Sequence, residues 1–542
     1  EKEKGLLNGK FIYKTMSDGS VDKTKVICIY CRCELSYHRS TSSLKYHLMA
    51  KHTTDAESSP PPRQSQTTLD CFQLTTSIAK WVATACRPVN VVEDEGLLEI
   101  IRIASNDYTY ELPSRATVTS KIHDSYEEEK AKVEEELRQT NTVALTGDYW
   151  TSLSNHSYLG VTAHYFDTHW KLRSHALTVM KTDERHYANV CAEHFLQVAR
   201  QWNIELKIST LNTDSARNMI AAAKQLPFEH MPCIEHSLHR AITVSLQNSQ
   251  FDSALAKCRK VVGHFKHSPA NAAELEQQQV THHQKKESLT QEVSTRWNST
   301  LEMIKRIQRN QEPLREALAL HASNINMPTA AELDKLKRLE TVLEHCRYVS
   351  QLLGGENFVS CSVVLPALCH LSRVMEVSED DPAYMIKIKE TFTTDMDKRK
   401  EKTNITWLRV ASALDPRFKD LKCLSRADRA EVWMTTEMSR LMSVPDSSSD
   451  DEEDCIEKCV ERYKAEPSIG IEDCPLQWWS KHEGAHSEMA NLARRYLATP
   501  ATSIPCERLF SLSGHVVQKK RAALSSENVN RLVCLSNWLS GK

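Results

Sequence analysis

Apolar and polar positions change their period several times along this chain, and each change marks an expected element. From Leu69 to about Gln139 the apolar residues recur at helical spacing, with Trp81, Leu97, Leu98, Ile100, Ile101 and Ile103 supplying the inner faces. Within this stretch YEEEKAKVEEEL (126–137) reads as a charged surface helix. The period then drops to two. Thr142–Leu145, Tyr158–Phe166 and Leu172–Val179 alternate as strands do, separated by the turn-like SLSN and DTHW. Val190, His194, Phe195, Val198 and Trp202 return to helical spacing, and Ile208–Leu211 is a further strand that runs into Asn212-Thr213-Asp214. From 246 to 470 the chain is helical again. Leu333, Leu336, Leu339, Leu343, Cys346, Val349 and Leu353 form one stripe between Pro328 and Gly354-Gly355, which is core packing rather than a site. The acidic run DSSSDDEED (446–454) is expected to be a disordered loop, and 471–542 carries further helical, aromatic-rich signals.

Ahead of all this lies a local cluster of candidate ligands. Cys28-x2-Cys31 is followed after fifteen residues by His47-x4-His52. Two thiolates and two imidazoles at these intervals match a closed tetrahedral zinc site. The first pair sits where a tight turn aims both sulfurs inward. The second is expected on one face of a short helix, 40–49, whose inner side carries Leu44 and Leu48. Cys33 is an extra thiol and is read as a non-ligand, because Cys28 and Cys31 already form the pair. The polar, proline-rich TTDAESSPPPRQSQTT (53–68) reads as a flexible linker.

Three strands in a meander, a crossover helix and a fourth strand make the first half of an RNase H-like fold. In such a sheet Asp148, just after Gly147, is expected at the end of a central strand, and Asp214 ends the later strand in the same manner. A two-metal nuclease needs carboxylates placed this way, to hold two Mg²⁺ ions about 3.5–4 Å apart. A third acid from a helix completes such a set. Glu507 is the candidate, in the first turn of a helix announced by Ser503 and Pro505. Taken singly each acid has an ordinary explanation: a turn residue, a helix cap, a complement to the helix dipole. Spacing does not show that they converge.

Composition narrows the partners. The chain has 542 residues, a formal net charge of -2 and a pI near 7.0, so nucleic-acid contact must come from local basic patches. Residues 1–52 hold ten Lys/Arg against five acids, and 494–521 hold six against one. Each patch is equally well an ordinary solvated face. Seventeen cysteines, mostly scattered singly outside the finger, point to a reducing compartment with thiols free or zinc-bound. No signal peptide or membrane-spanning run is read, so no membrane partner is expected. The chain opens on Glu1 rather than Met, and a natural start upstream is the expectation.

VDKTKVICIYC (21–31) with TSSLKYHLMAKH (41–52) resembles a BED zinc finger. TGDYWTS (146–152), NTDSARNM (212–219), MPCIEHSLH (231–239), STRWNST (294–300), LDPRFK (414–419), PLQWW (475–479) and SIPCERLFSLSGHVV (503–517) follow in the order of hAT-superfamily transposases and the cellular proteins descended from them. The resemblance covers nearly the whole chain. It implies an α/β plus α architecture. A BED finger would occupy 1–56, a linker 57–68 and a helical DNA-binding domain 69–139. An RNase H-like core (140–245) would be interrupted by an α-helical insertion (246–470), and 471–542 would end the core and supply a dimerisation region. It further implies that Asp148, Asp214 and Glu507 are the D-D-E acids, holding Mg²⁺ or Mn²⁺, while Cys28, Cys31, His47 and His52 hold structural Zn²⁺. Cys233 and His236 match a C-x-x-H motif beside the active site, favoured as structural or DNA-contacting rather than as a second zinc site. Arg296 and Trp297 match an aromatic that stacks on a flipped base; core packing of Trp297 competes, and Asn298 and Thr300 suggest partial exposure. Lys45 and Arg508 are further DNA-contact candidates. The stretch before Cys28 lacks the family's usual tryptophan, with Phe11 and Tyr13 as substitutes.

Two functions remain open. One is a nuclear enzyme that cuts and joins transposon-end double-stranded DNA as a homodimer or higher oligomer. The other is a domesticated nuclear factor that binds DNA through the finger without catalysis. The large apolar residues between Trp478 and Trp538 suit an oligomer interface, with plain core packing as the competitor.

Overall fold

The computed structural model describes residues 6–7, 9–16, 19–38, 40–52, 71–247, 249–293, 296–320, 324–355, 358–434, 450–517 and 524–540. The expected linker at 57–68 and the start of the acidic run, 446–449, lie outside them. The chain divides into two compact units, Glu1–Leu74 with Arg102–Thr109, and Thr75–Ile101 with Tyr110–Lys542.

The smaller unit contains an antiparallel sheet of order β1-β2-β3, from β1 (Phe11–Thr15), β2 (Val21–Cys28) and β3 (Glu34–Ser36), and the helix Ser42–Lys51. Phe11, Val26, Cys28 and Leu44 form its core. Phe11 is fully buried with its ring edge-on to His47, centroids 6.0 Å apart.

The larger unit is mixed α/β. Its five-stranded sheet has the order β6-β5-β4-β7-β8, with β4 (Val143–Thr151), β5 (Ser157–Phe166), β6 (Leu172–Thr182), β7 (Ile208–Thr213) and β8 (Glu229–Pro232). The first three form an antiparallel meander; β7 runs parallel to β4, and β8 parallel to β7. Strand β8 gave no period-two signal, because EHMP is too short to alternate. Two glycines let helices close on opposite faces of the central strands. A Cβ on Gly147 would run into the Phe195 ring of the helix Ala188–Gln201, and one on Gly160 would lie 2.6 Å from Phe510 of the helix Ile504–Val516. The open edge of β6 is covered by the C-terminal helix Ser526–Ser540. Asn537 accepts from the Ala176 amide, Asn530 from the Val179 amide, and the Trp538 indole donates to the Ala176 carbonyl. An edge that would otherwise invite pairing is thus satisfied by side chains.

The helical part between β8 and Ile504 shares one large core with the sheet. Two expectations change here. Trp478, Trp479 and Trp538 are buried within this chain, so core packing accounts for them and these rings offer nothing to a partner. The acidic run is not wholly a loop: Asp450–Ala465 is a helix. Among the described residues no helix is long and apolar enough to cross a membrane.

Candidate metal centres

In the finger, the turn after β2 is closed by Arg32 in the left-handed region (φ 59°), whose amide donates to the Cys28 carbonyl at 2.9 Å. This brings Cys28 and Cys31 to one side. His47 projects from the helix. His52 follows by five residues, too far round a helix to share its face, and converges only because it sits at the C-cap with φ -134°, outside helical geometry. One ligand atom from each of Cys28, Cys31, His47 and His52 lies within 4.8 Å of all the others. The Cys31 Sγ to His47 Nε2 distance is 3.3 Å, and Cys28 Sγ to His52 Nε2 is 3.8 Å. A tetrahedral zinc with ordinary Zn–S and Zn–N bonds sets S and N about 3.6 Å apart, between these two values. The Cys31 thiol is lowered to about 6, mainly by the hydrogen bond from the Cys33 backbone, which favours the ligating thiolate. Cys33 lies outside the cluster. The Cys₂His₂ set fits a structural zinc. Lys45 is exposed on the same helix.

The acids are gathered differently. The parallel pairing of β4 with β7 ends at Thr146–Asn212, so Asp148, still within β4, and Asp214, just past the end of β7, each stand two residues beyond it, close enough for the Asp214 charge to act on Asp148. Asp148 is not at a strand end as expected: β4 continues to Thr151, paired with β5 alone. The face that carries Thr146 and Asn212 is covered by 499–510. Thr499 bonds Thr210, the Asn212 amide donates to the Pro500 carbonyl, and Cys506 meets Thr146. This covering segment brings Glu507, in the first turn of the helix Ile504–Val516, over the same face. One oxygen of Asp148 accepts from the Tyr149 amide at 2.7 Å, and one of Asp214 from the Ala216 amide at 3.2 Å, just before the helix Arg217–Ala223. Burial, and then the charge of Asp214, push the Asp148 carboxyl up to about 7, with Glu507 adding a smaller repulsion. The donors are all hard oxygens, which suits Mg²⁺ or Mn²⁺. Among the described residues only the finger brings three or more ligand atoms within reach of one ion, so the acid face is a wider arrangement than a closed chelate.

Cys233 and His236 lie beside it. Cys233 is fully buried; its amide donates to the Thr213 carbonyl and its Sγ accepts from the Ser503 amide at 3.3 Å, which ties the end of β7 to the start of the Glu507 helix. His236 Nε2 is 3.9 Å from Glu507 Oε1. Burial acts to lower this imidazole, but Cys233, Glu507 and Asp148 outweigh it and push it up to about 10. Arg508 is exposed and donates to the Gly354 carbonyl at 2.9 Å. Arg296 is exposed, but Trp297 is only 4% exposed. The expected partial exposure of Trp297 fails because it heads a buried stripe with Thr300, Leu301, Ile304 and Ile307, and Thr300 satisfies its hydroxyl internally on Glu292. Sequence reasoning missed Thr146, Thr162 and His164, polar residues on this same buried face. Their alternate spacing in β4 and β5 was the available signal.

Four family models match the chain in order. They are the BED zinc finger (13–53), the ZBED1 RNase-like domain (146–236), the ZBED1 RNase-like helical domain (231–342) and the hAT family C-terminal dimerisation region (459–539). Together with the relatives below, these matches make the chain similar to hAT transposases and to BED zinc-finger proteins along most of its length. A "Putative AC transposase" of Zea mays is 23% identical, over 84% of this chain and 63% of that protein. A "Putative AC9 transposase" of Zea mays is 22% identical, over 84% and 64%. The human "Zinc finger BED domain-containing protein 4" is 20% identical, over 95% of this chain and 50% of its own length. The chain thus spans less than two thirds of the length of each of these three relatives.

Proposed function

We propose that the protein is a nuclear, DNA-binding hAT-type transposase that cuts and joins transposon-end double-stranded DNA, working as a homodimer or larger oligomer. The observation that carries this reading is the placement of Asp148, Asp214 and Glu507 over one face of an RNase H-like sheet. When bound there, Mg²⁺ or Mn²⁺ would activate the attacking oxygen and stabilise the leaving one. Asp148 and Asp214 would hold it from the sheet and Glu507 from the helix. Cys233 fixes the start of that helix through the Ser503 amide, and His236 faces the Glu507 carboxylate as a counter-charge. The zinc-bound finger, with exposed Lys45, and the exposed Arg296 and Arg508 would contact DNA phosphates. Trp297 is left out of these contacts because its ring is buried. The helices within 69–139 would add to DNA binding, and 471–542 would supply dimerisation, in keeping with the matched dimerisation region.

The wide spacing of the acids favours a second reading, a domesticated nuclear factor that binds DNA without cutting it. One assay separates them. Purified protein with Mn²⁺ and a terminal-repeat duplex should nick at the repeat boundary, and Asp148→Asn should abolish nicking. Absent nicking, or nicking unchanged in Asp148→Asn, contradicts the enzyme.

A further inference from the structure

Beneath the acids runs a string of four buried polar groups that none of the proposed chemistry uses. His164 Nε2 is 2.7 Å from Thr162 Oγ1, Thr162 bonds Thr146, Thr146 Oγ1 is 3.0 Å from Cys506 Sγ, and the Cys506 thiol donates to the Gly160 carbonyl at 3.5 Å. Thr146, Thr162, His164 and Cys506 are all buried. Burial drives the His164 imidazole down to about 3, so at neutral pH it carries a single ring proton. With that proton on Nε2, one consistent assignment satisfies every member: His164 donates to Thr162, Thr162 to Thr146, Thr146 to Cys506, and Cys506 to the Gly160 carbonyl. His164 starts the string as a donor, and Thr162, Thr146 and Cys506 each take one hydrogen bond from the preceding member and give one to the next, up to the carbonyl that ends it.

Such a string is a costly way to fill a core, since each buried polar group must be desolvated and any broken link strands its neighbours. Its place gives it a use. Thr146 is two residues from Asp148 on the same strand face, and Cys506 is the residue before Glu507. Thr162 sits where the pairing of β5 with β6 slips by one residue, an irregularity that re-aims side chains. Gly160, whose carbonyl ends the string, is also the glycine that lets the Phe510 ring of the Glu507 helix close onto β5. An apolar contact between helix and sheet would tolerate sliding; a directional string through one thiol has a single register.

We propose that Thr146, Thr162 and Cys506 are positioning residues, which set the helix carrying Glu507 in register with Asp148 and so fix the width of the metal-binding face. This rests on the reading of Asp148, Asp214 and Glu507 as metal ligands. The test is Mn²⁺ binding by the purified full chain, followed through the electron paramagnetic resonance signal of free Mn²⁺, with thermal unfolding measured in parallel. Cys506→Ala and the isosteric Thr146→Val should each weaken Mn²⁺ binding about fivefold to tenfold, the effect of losing one buried hydrogen bond. Cys506→Ser and Thr146→Ser, which keep a donor, should stay within about twofold of the wild type. Ser412→Ala removes a buried hydroxyl that bonds the Ser362 carbonyl in the helical part; it should lower the unfolding temperature and leave Mn²⁺ binding unchanged. If Thr146→Val and Cys506→Ala bind Mn²⁺ as the wild type does while Asp148→Asn is impaired, the positioning role is overturned and the site stands. If Asp148→Asn binds as tightly as the wild type, the site itself is overturned and the positioning role with it.

Discussion

The four side chains of the finger come from residues 28 to 52, one turn and one short helix, and they converge to within 4.8 Å. Asp148, Asp214 and Glu507 come from two strands and a distant helix, and they share a face without closing into a chelate. The difference is one of what holds the ligands. In the finger the backbone between ligands is so short that the core (Phe11, Val26, Cys28, Leu44) has little to spare, and a zinc ion is a large share of what orders it. On the acid face the scaffold is already made by a buried sheet and its helices, and the carboxylates are carried by it. Metal therefore belongs to stability in the first region and, in the function proposed above, to chemistry in the second.

The largest expected effect breaks the first half of that comparison. Cys28→Ser, or chelation of the native protein, should remove the bound zinc and unfold the finger, since structural zinc supplies about 10–16 kcal/mol in finger peptides. Metal analysis and amide dispersion in NMR spectra check this; a finger that stays folded without zinc would break the contrast. A smaller effect probes the scaffold. Gly160→Ala should cost about 1–3 kcal/mol through the clash with Phe510, read as a lower midpoint in denaturant, with zinc content unchanged.

The smallest effect concerns a carboxylate held for structure. Glu136 accepts from the Tyr165 hydroxyl at 2.8 Å and lies 3.3 Å from His175 Nε2. The hydrogen bond with His175, with help from Tyr165 and against partial burial, lowers it to about 2 from 4.5. A depressed acid contributes stability that is fully present above its unfolded value and is lost as pH falls toward its folded value. Stability should therefore decline between about pH 4.5 and 2, and less steeply in Glu136→Gln. Denaturant midpoints against pH measure it; equal slopes in both proteins would show that Glu136 contributes no such stability.

How much of this was legible in the sequence follows the same division. Ligands that are local in the chain show themselves by spacing, as Cys28, Cys31, His47 and His52 do. The convergence of Asp148 with Asp214 depends on the β4–β7 register, and that of Glu507 on a helix laid over the sheet; neither is encoded in any local interval. Resemblance to hAT transposases, rather than spacing, linked the three. Polar neighbours misled the reading of Trp297, because Thr300 lies on the buried stripe and bonds inward. Core packing and an oligomer interface both stayed open for the C-terminal tryptophans because their partners, Leu414 for Trp479 and Ala176 for Trp538, are far away in sequence.

In the proposed function Asp148, Asp214 and Glu507 act as one metal-dependent unit. The nicking rates on terminal-repeat DNA of Asp148→Asn, Asp214→Asn, Glu507→Gln and the triple variant decide whether they do. Each single change should abolish nicking as completely as all three together, because groups that act as a unit are not additive. Retention of wild-type nicking by any one of the single variants would show that the three acids do not act as a unit.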